Sequence, residues 1–138
     1  MLAKAFKKYQ DWAPVFLRLI LAIIFLYHGL PKLTNFGGVV QMVTKIGFPL
    51  PEVFSVLLVA AEVGGGILLL LGLFTRYACV ALAFDMVVAI LAVHLKNGFD
   101  ISKGGIEFAL TVFVMCFVLM IIGSGKFSLE KKLFKKEL

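Results

Sequence analysis

The residues of this sequence whose types could do chemistry are ionisable side chains set in apolar surroundings. Arg18, His28, Glu62, Asp85, His94 and Glu107 all fall within, or at the ends of, long apolar runs. Placing such a group in hydrocarbon costs about 2.5–3.5 kcal/mol on insertion scales, so each is a functional candidate. Glu62 is the most legible. Glu62, Gly65, Leu69, Gly72 and Arg76 recur at 3-4-3-4 spacing, which lines them up on one seam of a helix. Glycines on such a seam let a neighbouring helix, or a flat ligand, approach the backbone. Glu62 then sits near mid-membrane, either in a functional site or as the buried partner of a basic group.

A second seam carries Ala78, Leu82, Asp85, Ala89 and Ala92. Its small residues suit close helix packing. The expected partner of Asp85 is Arg18, in a structural ion pair; the alternative is a proton relay. Arg76 is read as a further structural charge. His28, Lys32, His94 and Glu107 come at one depth, near the outer membrane surface. They could converge on a pocket with Glu62 at its floor, or each could face interfacial water. Histidine and carboxylate are the usual groups for proton exchange near neutral pH. Counting charge sharpens this. Arg18, Glu62 and Asp85 are the deepest groups, and if all ionise one negative charge lacks a partner. Glu62 or Asp85 is therefore expected to be protonated or to borrow a cation such as Lys32. The sequence carries no metal, flavin or haem motif, and no phosphate-binding or dinucleotide fingerprint.

The elements that must position these groups follow from composition. Of 138 residues, 62% are hydrophobic and 16% charged, with a mean hydropathy of +1.04. Soluble domains run nearer 45–50% apolar and about 25% charged. A chain this short could not hide so much apolar surface in a water-soluble core. A crossing helix needs about 20 apolar residues. The predicted architecture is thus all-α: an integral membrane four-helix bundle, one domain over 1–138, with helices over 14–30, 53–74, 77–95 and 105–122. Gly29 and Pro31 are expected to end the first helix. Its length and the lack of a cleavage-type sequence read as a retained helix rather than a signal peptide. The segment 34–47 is too short to cross. It puts Phe36, Val39, Val40, Val43 and Ile46 on one face, as an interfacial helix does. The N-terminal arm mixes Lys4, Lys7 and Lys8 with aromatics, and the tail over 126–138 is rich in lysine. Both read as surface segments.

The net charge of +6 flanks the apolar runs, which is a topology signal and an attraction to anionic lipid rather than a nucleic-acid footprint. Most of it lies in the arm, the Arg76 turn and the tail, so both termini are expected on the cytoplasmic side of the plasma membrane. The two cysteines, Cys79 and Cys116, are small apolar packing residues in this reading.

The order of motifs resembles the DoxX family of small membrane proteins. The matching stretches are Arg18-Leu19, then Tyr27-His28-Gly29-Leu30-Pro31-Lys32-Leu33 and Gly47-Phe48-Pro49-Leu50-Pro51. Glu62-Val63-Gly64-Gly65-Gly66, Gly72-Leu73-Phe74-Thr75-Arg76, His94, Glu107 and the closing Gly123-Ser124-Gly125-Lys126-Phe127-Ser128-Leu129 complete it. The resemblance implies a four-helix membrane bundle in a redox setting. Relatives include a subunit of a thiosulfate:quinone oxidoreductase, and a membrane partner in a complex with a superoxide dismutase and a sulfurtransferase. Arg18, Gly29, Lys32, Glu62, Gly65, Gly72, Arg76, His94 and Glu107 match the family pattern; Asp85 and the lysine-rich tail depart from it. Glu130 fills the acidic place after Ser128-Leu129.

The leading expectation is a membrane subunit of a quinone-linked oxidoreductase. Glu62, His94 and Glu107 form its proton and quinone site, and Gly65, Gly72, Lys32 and His28 line it. Electrons come from a soluble redox partner or a small sulfur substrate. The alternatives are a non-catalytic membrane anchor or scaffold for a soluble partner, and a small-metabolite transporter, which would have to form a homo-oligomer.

Overall fold

A computed structural model describes residues 2–136. Met1, Glu137 and Leu138, at the ends of the expected arm and tail, lie outside the described residues. The described chain is helical, in the order α1 (Leu2–Lys7), α2 (Ala13–Thr34), α3 (Phe36–Ile46), α4 (Pro51–Leu71), α5 (Thr75–Ala89), α6 (Glu107–Ile122) and α7 (Leu129–Phe134). α5 continues through a π turn, Ile90–His94, and a 3₁₀ turn, Leu95–Asn97.

Three stretches are long and apolar enough to cross a membrane: Gln10–Thr34, Pro51–Leu71 and Thr75–Asn97. The fourth expected span is shorter. α6 has 16 residues, which at 1.5 Å each give about 24 Å against ~30 Å of hydrocarbon. Among the described residues, length and composition therefore mark three crossings, with α6 a shorter apolar helix beside them.

α2 packs on α4, α5 on α6, and the α4–α5 and α2–α6 contacts close the group. The shared core holds Leu21, Phe25, Leu69, Leu82, Val112 and Leu119, with the free thiols of Cys79 and Cys116 buried among them. The outward faces are as apolar as the inward ones. Ile23 is 60% exposed and Phe84 69%, a surface that water does not tolerate over a wide patch and lipid does.

α2 does not stop at Gly29 and Pro31, as its sequence suggests; it runs on to Thr34 with Pro31 inside. Pro31 costs one backbone donor. Packing outweighs that loss. A Cβ on Gly29 would lie 3.0 Å from Glu62 Cβ and 3.2 Å from the Val63 nitrogen, so Gly29 is where α2 rests on α4. The extra turn is what carries Lys32 over α4. α3 keeps the expected amphipathic pattern, but its apolar face is spent on protein: Val39 and Val43 bury against Val59 of α4, beside Phe36, Phe48 and Phe54.

The tail also departs from a surface strap. Ser124, Ser128 and Glu130 are buried. Ser128 caps α7 by accepting from the Lys131 amide, and the Glu130 amide donates to the Gly72 carbonyl at 3.0 Å. Lys126 pairs with Asp11 at 2.7 Å, and Trp12 stacks near Phe127 with ring centroids 4.5 Å apart. The N-terminal arm and the tail thus meet at one end of the molecule.

Candidate functional site

At the opposite end, α2 and α4 bring a cation and a carboxylate together. Lys32 Nζ donates to both carboxylate oxygens of Glu62, at 2.6 Å each. Glu62 lies eleven residues after Pro51, where α4 starts, roughly 16 Å along the helix. Its side chain is 5% exposed and that of Lys32 25%. Lys32 stands on the α2 turn after Pro31, and its long stem lets the ammonium reach inward from the more solvated end. The charge-counting expectation that a buried carboxylate borrows Lys32 holds for Glu62.

Asp85 belongs to this site and not to Arg18. From α5 it stands within electrostatic reach of Glu62 and Lys32. Its Oδ2 is buried with no hydrogen-bond partner. The expected Arg18–Asp85 pair is therefore corrected. Arg18 donates instead to the Ser124 carbonyl at 2.8 Å and the Phe127 carbonyl at 2.9 Å. The reason is the tail: Gly123 and Gly125 turn the chain back with positive φ, which presents those carbonyls to the guanidinium before any carboxylate can.

The glycine seam is filled by the protein itself. Leu82 side-chain atoms lie 2.9 Å from where a Gly65 Cβ would be, and Leu26 fills the same space at Gly66. Gly72 ends α4 with φ +66°, and Arg18 occupies the place of its missing side chain. Where a flat ring is expected at Gly65 and Gly72, this structure has a leucine and a guanidinium. The other end of that seam, Arg76, donates from Nε to the Met120 carbonyl at 3.2 Å.

His94 and Glu107 do not hydrogen-bond to Glu62. His94 Nδ1 lies 2.7 Å from the Gly104 carbonyl; a carbonyl only accepts, so Nδ1 carries the proton in that contact. Glu107 accepts from the Ile101 amide at 3.1 Å. Both side chains shape the loop between α5 and α6. In that loop the Ser102 amide donates to Asp100 at 2.8 Å, and hydrogen bonding from Ser102 holds the Asp100 carboxyl below its ordinary range. His28 is exposed beside Tyr27 and Phe108. It lines a cavity of about 520 Å³ with Leu26, Tyr27, Leu30 and Pro31. The expected ring of polar groups thus splits into the Lys32–Glu62–Asp85 cluster, a histidine on the α2 rim, and a loop network.

The residues that sequence reasoning missed are at the tail end. Glu130 is 1% exposed and accepts from the Thr75 amide at 3.4 Å. Ser124 donates to Ser128, and Ser128 to the Gly125 carbonyl. The signal was there: a carboxylate after a Ser-Leu pair in a lysine-rich segment is a capping pattern, but nothing local shows that it caps α4 and α5 as well.

Comparison with known proteins fits this architecture. The DoxX family model matches residues 13–95. An uncharacterized protein of Haemophilus influenzae is 34% identical, over 94% of this chain and 97% of its own length. A Bacillus subtilis protein named "Putative oxidoreductase CatD" is 35% identical, over 86% of this chain and 85% of its own. The "Inner membrane protein YphA" of Escherichia coli is 32% identical, over 83% and 86%. No solved structure matches the chain. The chain belongs to the DoxX family and is a membrane protein.

Proposed function

We propose that this DoxX-family chain is the membrane subunit of a quinone-linked oxidoreductase, and that Lys32, Glu62 and Asp85 are its proton-handling group. One observation carries the reading: an ammonium clamped on a buried carboxylate, with a second carboxyl within electrostatic reach whose buried Oδ2 has no hydrogen-bond partner. Three such groups hold two exchangeable proton sites around one ammonium. Lys32 Nζ can exchange a proton with Glu62 along a 2.6 Å contact, and Asp85, within electrostatic reach, is a second carboxyl able to hold a proton.

A quinone, when bound, supplies the two-electron chemistry, and the electrons come from a redox partner or a reduced sulfur compound. The filled glycine seam does not fit a ring. The Lys32–Glu62–Asp85 donor set does fit a group that must be protonated as it is reduced, and Lys32 and His28 would meet it from the outer end of α2. The name of the Bacillus subtilis relative agrees with an oxidoreductase setting. His94 and Glu107 keep a positioning role, through the loop that borders this end. α6 is read as a fourth crossing, extended by its flanking turns. The lysine-rich end is placed in the cytoplasm by the positive-inside rule, with α3 lying at the opposite interface.

Native mass spectrometry of the full chain, wild type against Glu62→Gln, tests the reading. Retention of a quinone by the wild type and its loss from an equally helical Glu62→Gln supports it. No quinone on either protein removes it.

A membrane scaffold is the second reading. It is favoured by the packing itself, since Leu82, Leu26 and Arg18 fill the seam and the tail is fastened so that its lysines project. Affinity capture after cross-linking in native membranes distinguishes it: a soluble partner held through the tail supports the scaffold, and none held leaves it without a role.

A further inference from the structure

The tail end of the molecule carries a second feature that neither reading uses. A cleft of about 670 Å³ opens where α7 folds back beside α4. Arg18, Lys126, Lys131 and Lys132 line it together with Leu70 and Leu71. None of its lining residues is acidic. Lys126 reaches out to Asp11, and Lys132 is exposed.

Arg18 makes the cleft more than a basic surface. It is 4% exposed. Its partners among the described residues are the Ser124 and Phe127 carbonyls, not a carboxylate, and its Nε is buried without a hydrogen-bond partner. A buried guanidinium held by two carbonyls has no carboxylate as its hydrogen-bond partner. The leucine lining has the opposite character. Leu70 is 46% exposed and Leu71 42%, and both lie on the last turn of a crossing helix, where acyl chains run. Leu133 and Phe134 are exposed on α7. A ligand that satisfies both kinds of lining has a phosphate at one end and hydrocarbon at the other.

We infer that this cleft binds the phosphate headgroup of an anionic phospholipid, with the diester against Arg18, Lys131 and Lys132 and one acyl chain along Leu70 and Leu71. Basic pockets at helix ends are known to select anionic headgroups, each basic residue near the surface contributing about 1 kcal/mol, or roughly fivefold in affinity. Free phosphate offers the same anionic chemistry without the chain, so the two sources are separable. The inference does not depend on the proton-handling reading at the other end of α2.

The test is lipid binding by the full chain in detergent, followed by native mass spectrometry with phosphatidylglycerol, phosphatidylcholine and inorganic phosphate as probes. The expected result is a preference for phosphatidylglycerol over phosphatidylcholine of about tenfold or more. Lys131→Gln/Lys132→Gln should lower phosphatidylglycerol affinity roughly 25-fold, from the fivefold per residue above. Lys132→Glu, a single change at an exposed position, should abolish the preference even if the double variant folds poorly. Lys7→Gln/Lys8→Gln, in the N-terminal arm, should leave it intact. Equal affinity for the two lipids overturns the inference. So does a preference that survives Lys132→Glu but disappears with the arm lysines. Displacement of the lipid by millimolar inorganic phosphate would assign the cleft to free phosphate instead, and overturns the lipid assignment.

Discussion

Breaking the Lys32–Glu62 contact from its two ends should have unequal effects, and the inequality can be worked from the structure. Lys32→Met leaves the Glu62 carboxylate 5% exposed, without its cation and beside Asp85. Removing one partner of a buried pair costs about 3–5 kcal/mol. Lys32 is a quarter exposed, so the low end, about 3 kcal/mol, applies. Glu62→Gln leaves an ammonium that can swing toward the headgroup region on its own stem, and should cost about 1 kcal/mol. The double variant has no stranded charge and should resemble Glu62→Gln. The coupling energy between the two sites is then about 3 kcal/mol, far outside the ~0.5 kcal/mol of independent sites.

The assay is reversible unfolding in mixed micelles. Far-UV circular dichroism follows the helices, and Trp12 fluorescence follows the tail end, where the chain's single tryptophan stacks near Phe127. Coincident transitions are needed for the free energies to be meaningful. Adding Asp85→Asn to Lys32→Met should return part of the loss, because it removes the like charge that Glu62 then faces. Additive single variants, or a Glu62→Gln variant less stable than Lys32→Met, would refute the argument that a buried carboxylate is the group being rescued.

Three other outcomes follow from the same structure. Arg18→Lys keeps the charge but cannot span two carbonyls with a planar fork; it should cost about 1.5–3 kcal/mol for a lost charged hydrogen bond, and red-shift Trp12 emission as the tail loosens. Gly72→Ala places a Cβ in the left-handed region against Arg18 and Ser128 and should destabilise by about 1–3 kcal/mol, whereas Gly64→Ala, with open space around it, should be neutral or stabilise by up to about 1 kcal/mol; paired unfolding curves decide. The Asp100 carboxyl is held below its ordinary range by Ser102, so its contribution is full above the unfolded carboxylate value and is lost as pH falls through the lowered one. The protection factor of the Ser102 amide, its exchange rate relative to the intrinsic rate at each pH, should fall in that acid window, and Asp100→Asn should make it independent of pH.

How much of this was legible in the sequence depends on whether a feature is local. The apolar runs, the amphipathic α3 and the burial of Glu62 follow from periodicity and composition, and the structure keeps them. The link from Lys32 to Glu62 was only one option among several, because the rotation of α2 against α4 fixes it and no local pattern encodes rotation. The end of α2 was misplaced for a related reason. Gly29 and Pro31 carry a stop signal in isolation, but Gly29 is small in order to touch Glu62 and Val63. The same residue type signals a terminus or a contact, and only the neighbour decides. Gly65 and Gly72 repeat the lesson with opposite effect: the seam was correctly read as a place of close approach, but Leu82 and Arg18 make the approach. Depth alone pairs Asp85 with Arg18, because the tail carbonyls that take the guanidinium leave no local mark in the sequence.

Those assignments together explain why α2 needs charges at all. Between helices in lipid, apolar packing barely distinguishes one register from the next, because acyl chains are as good a neighbour as leucine. α2 places a charged side chain against α4 at each end. Lys32 closes on Glu62, and Arg18 fills the space beside Gly72. The two basic residues stand fourteen positions apart, close to four helical turns, so both fall on nearly the same face. Sliding α2 by one turn would strand Glu62 without its cation and withdraw Arg18 from the Ser124 and Phe127 carbonyls in the same movement. Each loss is of the order of the single-partner cost of a buried pair or a charged hydrogen bond, so one register is selected where packing alone would leave several. The carboxylate pair at one end and the guanidinium at the other therefore act on one interface. The Lys32→Met/Glu62→Gln protein, which keeps only the Arg18 contact, should remain folded but show a broader spin-label distance distribution between the outer ends of α2 and α4. An unchanged distribution would mean that the Arg18 contact and the glycine packing hold the register without the Lys32–Glu62 pair.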